Sequence, residues 1–503
     1  MPSCWGRDAM VSTSSPLAVA AGLWALEEGG TAVDAAIAAD AVLGVTQPLW
    51  TGLGGDAFAL VDDGEQVSAL NGSGASPAQL TLERCTEAAA TAAPIDVAPG
   101  YEEMFTDFPT TLPDTSPLSV TVPGVVDAWA QLSERYGTLP FGRLFEPAIA
   151  LAAGGFPVGR LTARAWRASA GRMAPGGPLP AEVRAGQRVV NPELAASLRA
   201  LAAGGRPAHY EGPWAEEVAS VVQAGGGLMT TADLAAHAGE WVTPVSTSYR
   251  GFEVYEAPPN GQGAAVLAAL NLLDAGPVSP DRPEGLATTM AAVRDGMRLA
   301  HAHVADPRHA EVSEFWLRET DTVYTAAVAG GLAVSLISSV FYAFGSGLVA
   351  GGAPLQNRGL GFSLDPDHPG VAAPGKRPFH TIIPGLVRYP DRSPRPFAVL
   401  GVVGGPMQPQ GQVQVLTRLI DAGADAQGAL DAPRARWLGG DLVMLEPGLD
   451  GPFADALTDV GFAVSEHPLT GEAAGAGQVV LGHRDGWLEG AADPRRDGVA
   501  FGR

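Results

Sequence analysis

Three short stretches carry residue types that could do chemistry. In Asp321-Thr322-Val323-Tyr324 a threonine heads a β-branched and aromatic run, as many strands begin. A turn at Gly330-Gly331 leads into a second strand-like run, Leu332 to Tyr342, so a hairpin is expected to set Thr322 at an exposed strand tip. A threonine hydroxyl is a weak nucleophile until a base takes its proton. When the threonine is chain-terminal its own α-amine, titrating at about 8, can be that base. Such chemistry requires the bond before the threonine to be broken first. The second stretch is His301-Ala302-His303, with Asp306 and His309 nearby. On a strand the two imidazoles would share a face and suit a metal. Here Met290, Val293, Met297, Ala300 and Val304 recur at helical spacing, and positions i and i+2 of a helix diverge. The expectation is a helix ending at Asp306-Pro307, and no metal. The third is Gly52-Leu53-Gly54-Gly55-Asp56-Ala57, which fits a G-x-G-x-x-[GA] dinucleotide pattern. That pattern should follow a strand and open a helix. This one follows a helix and leads into the strand Phe58 to Val61, so it reads as a turn, and no organic cofactor is implied.

These stretches sit in a chain of 503 residues, long enough for two to four domains. Hydrophobic residues at 46% and charged residues at 17% describe a soluble chain that buries a large core. Its 65 glycines and 42 prolines show no period and read as many turns. A formal charge of −23 argues against electrostatic binding of nucleic acid or an anionic membrane. Cys4 and Cys85 give neither a disulfide framework nor metal spacing. The apolar run Pro16 to Leu26 lacks a basic flank and a small-residue cleavage site, so it reads as a buried helix rather than an export signal. No run reaches the roughly 18 apolar residues of a membrane span, and a cytoplasmic location is expected.

The elements that must position the candidates follow in order. Ser15-Pro16 opens a helix that Gly29-Gly30 closes, and Thr31 caps a second helix through Leu43. Leu80 to Thr121, rich in Thr, Pro and acidic residues, reads as a long surface excursion. Helices are expected over Val125 to Tyr136, Asn191 to Ala203 and Ala264 to Leu273, with Thr231 capping Ala232-Asp233-Leu234. Thr243 to Tyr255 alternates as strands do, and Pro258 to Gly263 forms a rigid turn. Two Gly-rich loops follow Thr322, at Gly345 to Gly352 and at Gly401 to Gly405; alone, Gly404-Gly405 reads as a tight turn.

Taken as an ordered set, the phrases Gly29 to Ala36, Gln47-Pro48, Thr51 to Phe58, Asp321 to Tyr324, Gln356-Asn357-Arg358-Gly359, Arg377-Pro378-Phe379-His380-Thr381, Gly404-Gly405 and Asp493 to Gly498 resemble the γ-glutamyltranspeptidase family over nearly the whole chain. The resemblance implies an α+β, four-layer αββα N-terminal-nucleophile fold made as one precursor. It implies self-cleavage between Asp321 and Thr322 into a large chain, Met1 to Asp321, and a small chain, Thr322 to Arg503. The two would form an intertwined α/β heterodimer, with further dimerisation left open. By the same resemblance Thr322 is the nucleophile, Ser339 the hydroxyl residue beside it, and the Gly404 and Gly405 N–H groups the oxyanion hole. Asn357, Arg358, His380, Thr381 and Ser73 occupy substrate-loop positions. The substrate is a small-molecule amide, and its acyl-enzyme is resolved by water or an amine.

Departures from the family narrow the reading. Ser73 stands where glutathione-cleaving members carry an arginine for the α-carboxylate; Phe341, Arg358 and Gly361 replace an asparagine, a glutamine and an aspartate; and His380-Thr381 replace paired serines. The pattern is similar to the acylase and oxamate amidohydrolase branch, where Arg358 and His380 would meet an acidic acyl group. The linker from Arg308 to Asp321 is short for the family and Thr320 replaces its glycine, which makes Thr320 and Thr325 second-choice nucleophiles. Three alternatives stand: a glutathione-cleaving γ-glutamyltransferase, an uncut inactive homologue, and a metal amidohydrolase using His301.

Overall fold

The hairpin around Gly330-Gly331 is present in the computed structural model, with strands Asp321–Ala329 and Leu332–Phe341. The structure describes residues 2–90, 112–173, 177–309, 321–391, 393 and 395–503, and of Asp321 only the backbone. Thr320 and most of the short linker lie outside them. Both turn glycines have positive φ, 59° and 86°, as a two-residue type I′ turn requires. Leu332–Phe341 ends one residue before Tyr342 because Phe341 itself has φ of 82°, which breaks the ladder.

This hairpin is the centre of a seven-stranded antiparallel sheet. In spatial order its strands are Val499–Gly502, Ala9–Thr13, Asp321–Ala329, Leu332–Phe341, Asp56–Asp62, Val67–Gly72 and Glu240–Val242. A second antiparallel sheet of seven runs Cys4–Gly6, Leu488–Ala492, Ala476–Gly482, Ala398–Val403, Gly385–Arg388, Phe252–Glu256 and Val245–Tyr249. Side chains alternate along a strand, and the two faces of Asp321–Ala329 separate accordingly. Tyr324, Ala326 and Val328 pack between the sheets against Val399, Val403 and Val480. Val323, Ala327 and Ala329 face the helices Pro16–Glu27 and Ala32–Thr46. The other sheet buries its outer face under Ala264–Leu273, Pro283–His303 and Met407–Ile420. The layering is αββα, as expected. Both sheets contain strands from before and from after the Asp321–Thr322 bond. No helix among the described residues is long and apolar enough to cross a membrane.

Local rules explain where elements differ from expectation. The helix capped by Thr31 runs Ala32–Thr46, three residues past Leu43, because Gly44 is held in place: a Cβ there would lie 2.9 Å from the Gly52 Cα of the turn packed on it. Thr31 and Asp34 form a capping box, and the same Asp34 carboxylate accepts from the Thr138 N–H at 2.9 Å. Thr230, rather than Thr231, caps the short helix Thr231–Ala235, again with an aspartate, Asp233, three positions on. The helix that opens at Pro192 stops near Ala203 as expected, because Gly205 has a non-helical φ of 63°, and a second helical segment then runs to Tyr210. The stretch Leu80 to Thr121 is not wholly a surface excursion. It contains the helix Leu82–Ala90, and Leu80, Cys85 and Leu112 are buried against Phe341, Leu360 and Phe362.

Candidate active site

Thr322 lies at the end of its strand on the face between the sheets, and it is buried, not exposed. A bulge sets its aim: Asp321 pairs with Phe341 but Val323 with Ser338, so Thr322 faces Ser339 and Val340 together. Its Oγ1 accepts a hydrogen bond from Gln408 Nε2 at 3.0 Å, and its carbonyl oxygen accepts from Arg496 Nη1 at 3.3 Å. Those side chains, closing over the strand end, account for the burial. Thr325 points to the opposite face, where its hydroxyl donates to Thr13 Oγ1 at 3.1 Å. Ser339 Oγ accepts from the Phe341 N–H at 2.8 Å, inside the bulge that faces Thr322.

Gln408 is the second residue of the helix Met407–Ile420, which follows Gly404-Gly405 at the end of Ala398–Val403. Both glycines have positive φ, 119° and 57°. A side chain at Gly404 would also press on Gly475 Cα at 3.1 Å. The carbonyls of the pair are engaged: Gly404 O accepts from the Met407 N–H and Gly405 O from Gln262 Nε2, at 3.0 and 2.9 Å. Among the described residues neither glycine's N–H is bonded. Two fixed backbone donors at a helix N-terminus suit an oxyanion.

The predicted substrate residues divide into locked and unlocked. Asn357 spends its side chain on the loop, donating to Asp114 O at 2.8 Å and accepting from Tyr342 N at 3.2 Å. Ser73 accepts from Asn260 Nδ2 at 3.1 Å, and Asn260 also donates to Pro378 O. Arg358 differs. It is fully buried, stacked 4.2 Å above the Phe341 ring, and its Nη1 donates to Thr381 Oγ1 at 3.0 Å. Among the described residues its Nε and Nη2 have no partner. Those two atoms form one edge of the planar fork, the edge that takes a carboxylate with two parallel bonds. Burial lowers the guanidinium to about 9, with the Asp56 charge acting against the fall, so it is still a cation at neutral pH.

Asp56 and His380 complete this polar layer. Asp56 Oδ1 accepts from Gly74 N, Gly124 N and Gln356 Nε2 at 3.1, 2.9 and 2.9 Å, and Oδ2 meets His380 Nε2 at 3.2 Å. Burial would raise the Asp56 carboxyl, yet the His380 hydrogen bond, the Arg358 charge and the Gln356 amide hold it below the usual range. Burial and the Arg358 charge push His380 down to about 3, against the pull of Asp56, so the ring is neutral. Nδ1 accepts from the Ile382 N–H at 3.4 Å, which leaves Nε2 as the protonated nitrogen donating to Asp56.

The metal candidate does not assemble. His301 and His303 lie on the helix Pro283–His303; the first is buried beside Phe379 and Trp437, the second is exposed. Asp306 accepts from Arg308 and from the Arg377 N–H. Among the described residues no three His, Cys, Asp or Glu side chains converge. The helix ends at His303 rather than at Asp306-Pro307. Gln408, Gln262 and Asp56 were missed as site residues by sequence reasoning. A signal existed in Gln408-Pro409-Gln410-Gly411-Gln412-Val413-Gln414, where four amides on one helix are all buried. Gln408 and Gln412 hold both backbone groups of Ile383, while Gln410 and Gln414 hold those of Trp437 and Ala435.

Comparison with known proteins bears on this arrangement. A family model described as Gamma-glutamyltranspeptidase matches residues 18–316 and 289–502. The chain is 35% identical to the glutathione hydrolase-like YwrD proenzyme of Bacillus subtilis (strain 168), covering 99% of each. It is 33% identical to the oxamate amidohydrolase proenzyme of Klebsiella pneumoniae subsp. pneumoniae, covering 97% of each. The crystal structure of cephalosporin acylase from Bacillus halodurans superposes with a TM-score of 0.89 at 35% identity, covering 100% of this chain and 97% of that one.

Proposed function

The chain belongs to the gamma-glutamyltranspeptidase family, and from that premise we propose that it hydrolyses amides whose acyl group carries a carboxylate, with Thr322 as an autocatalytically freed nucleophile. Membership makes it an enzyme of the N-terminal-nucleophile class; the residues and the substrate are the proposal. One observation carries it. The Thr322 hydroxyl is held at 3.0 Å by the glutamine that follows a diglycine with unbonded N–H groups.

In the precursor, Thr322 Oγ attacks the Asp321 carbonyl carbon, the peptide C–N bond breaks to give an ester, and water hydrolyses it. The large chain ends at Asp321 and the small chain begins with the Thr322 amine. In turnover that amine takes the hydroxyl proton as Oγ attacks the substrate carbonyl. The Gly404 and Gly405 N–H groups take the oxyanion, the amide C–N bond breaks, and the ammonium returns its proton to the leaving amine. Water, or an amine acceptor, then attacks the acyl-enzyme and Oγ leaves with the proton. Arg358 supplies the carboxylate edge, with His380 and Thr381 beside it. The names of the oxamate amidohydrolase and cephalosporin acylase relatives are consistent with an acylase reading. Ser73, committed to Asn260, offers no counterpart to the α-carboxylate arginine of a glutathione-cleaving enzyme.

A substrate panel tests this. Monoamides of dicarboxylic acids that lack an α-amine are expected to be cleaved at least ten-fold faster than neutral acyl amides and than a γ-glutamyl anilide. A γ-glutamyl anilide as the best substrate would favour the glutathione-cleaving reading, and equal rates on neutral amides would remove Arg358 from recognition.

A further inference from the structure

We infer that Gln408 is a catalytic residue that donates to the nucleophile's own oxygen and sets the direction of its proton, an inference that rests on Thr322 being the nucleophile. A hydroxyl has one proton to give and two lone pairs to receive. The Gln408 Nε2–H fills one lone pair of Thr322 Oγ1 at 3.0 Å. The orientation of the amide is fixed from its other end. Gln408 Oε1 accepts from the Ile383 N–H at 3.1 Å, so Nε2 is the atom that faces Thr322. Ile383 is itself immobilised, because Gln412 Nε2, one turn on, donates to its carbonyl at 2.9 Å. The Gln408 backbone N–H donates to Gly405 O at 3.0 Å, tying the residue to the diglycine as well. The charged group hydrogen-bonded to Thr322 is Arg496, which engages the backbone carbonyl and leaves the hydroxyl to Gln408.

Two consequences follow. With one lone pair taken by a donor, the hydroxyl proton cannot point at Gln408 and is turned toward the terminal amine freed by cleavage. When Oγ leaves during deacylation it carries developing negative charge, and the amide N–H lies against it, separate from the oxyanion hole. Removing one such preorganised donor costs on the order of 10²- to 10³-fold in rate.

The test substitutes Gln408→Glu, which keeps shape and the acceptor for Ile383 but replaces the donor with a carboxylate. That carboxylate accepts the hydroxyl proton and reverses the bond; once protonated, it donates again. Burial raises such a carboxyl. The expected result is a kcat about 10²-fold below wild type with KM changed less than about three-fold, and a pH optimum moved to lower pH. Wild-type kcat, or a loss with an unmoved optimum, would overturn the inference. If Q408E stays uncut, its melting temperature decides: an uncut chain as stable as T322A has lost the orientation of the nucleophile, as inferred. If it melts well below T322A, Gln408→Met carries the test, with a similar loss at the wild-type optimum expected and full activity overturning it. T322A is the control. Activity in T322A would refute the nucleophile itself, whereas an inactive T322A beside a wild-type-like Q408E would refute only Gln408.

Discussion

In the proposed reaction Arg358 concentrates the specificity of the site in one side chain. A guanidinium with its bidentate edge unpaired in the interior is costly, because each buried donor without a partner forfeits a hydrogen bond it had in water. A substrate carboxylate recovers that cost only when bound, and only with the right geometry. Replacing Arg358 with lysine keeps the charge but loses the fork. R358K is therefore expected to raise KM for a dicarboxylic monoamide at least ten-fold, with kcat less affected, and to leave the slow cleavage of a neutral amide unchanged. Equal losses on both substrates would assign Arg358 to the fold alone. At this scale the sequence was uneven. Thr322, the diglycine and Arg358 are legible because they stand in ordered motifs. Gln408 and Gln262 are not, because an amide's role depends on which neighbour it meets, and nothing in the chain states that Gln408 folds onto a strand 86 residues earlier.

Elements explain why those residues meet. The Gly330-Gly331 turn fixes the register of the hairpin, and a bulge between Asp321 and Val323 sits at Thr322, whose hydroxyl meets Gln408. Helices and strands were legible where caps and alternation act locally: Val125–Tyr136 and Ala264–Leu273 match expectation to the residue. An end shifted where the chain packs closely past a stop signal, as at Gly44, whereas at Gly205 the left-handed φ ended the helix as expected. The exposed tip expected for Thr322 failed for a related reason, since the side chains that cover it come from distant elements. Beneath the hairpin, Asp40 on Ala32–Thr46 accepts from Ser338 Oγ at 2.6 Å and from Trp129 Nε1 at 2.9 Å, and Ser338 pairs with Val323. Burial pushes Asp40 up to about 6, with both hydrogen bonds opposing. A raised carboxyl means the folded state holds its proton longer than the unfolded chain. Its stabilising linkage is full below about pH 4 and is lost as the pH rises through 6, up to about 3 kcal/mol. Denaturant unfolding of wild type and Asp40→Asn should show that slope between pH 4 and 7 in the wild type alone. Parallel curves would mean that Asp40 ionises as it does in the unfolded chain.

For the whole molecule, the consequence of the topology is that cleavage at Asp321–Thr322 would not separate the parts. Each sheet mixes strands from both sides of the bond, and Ala9–Thr13 and Leu332–Phe341 flank the strand that begins at Asp321. A cut chain therefore remains one particle until denatured. The layering was legible from the ordered motifs, while the meeting of Thr322 with Gln408, and of Asp56 with His380 beside Arg358, belongs to the fold. Everything about the proposed chemistry depends on the amine that cleavage creates. The most direct measurement is the mass of purified wild type and Thr322→Ala under native and denaturing conditions. The account predicts one native particle for each, with wild type dividing under denaturant into residues 1–321 and 322–503 and T322A staying whole. Wild type found as a single uncut chain, or cut at another bond, would contradict it.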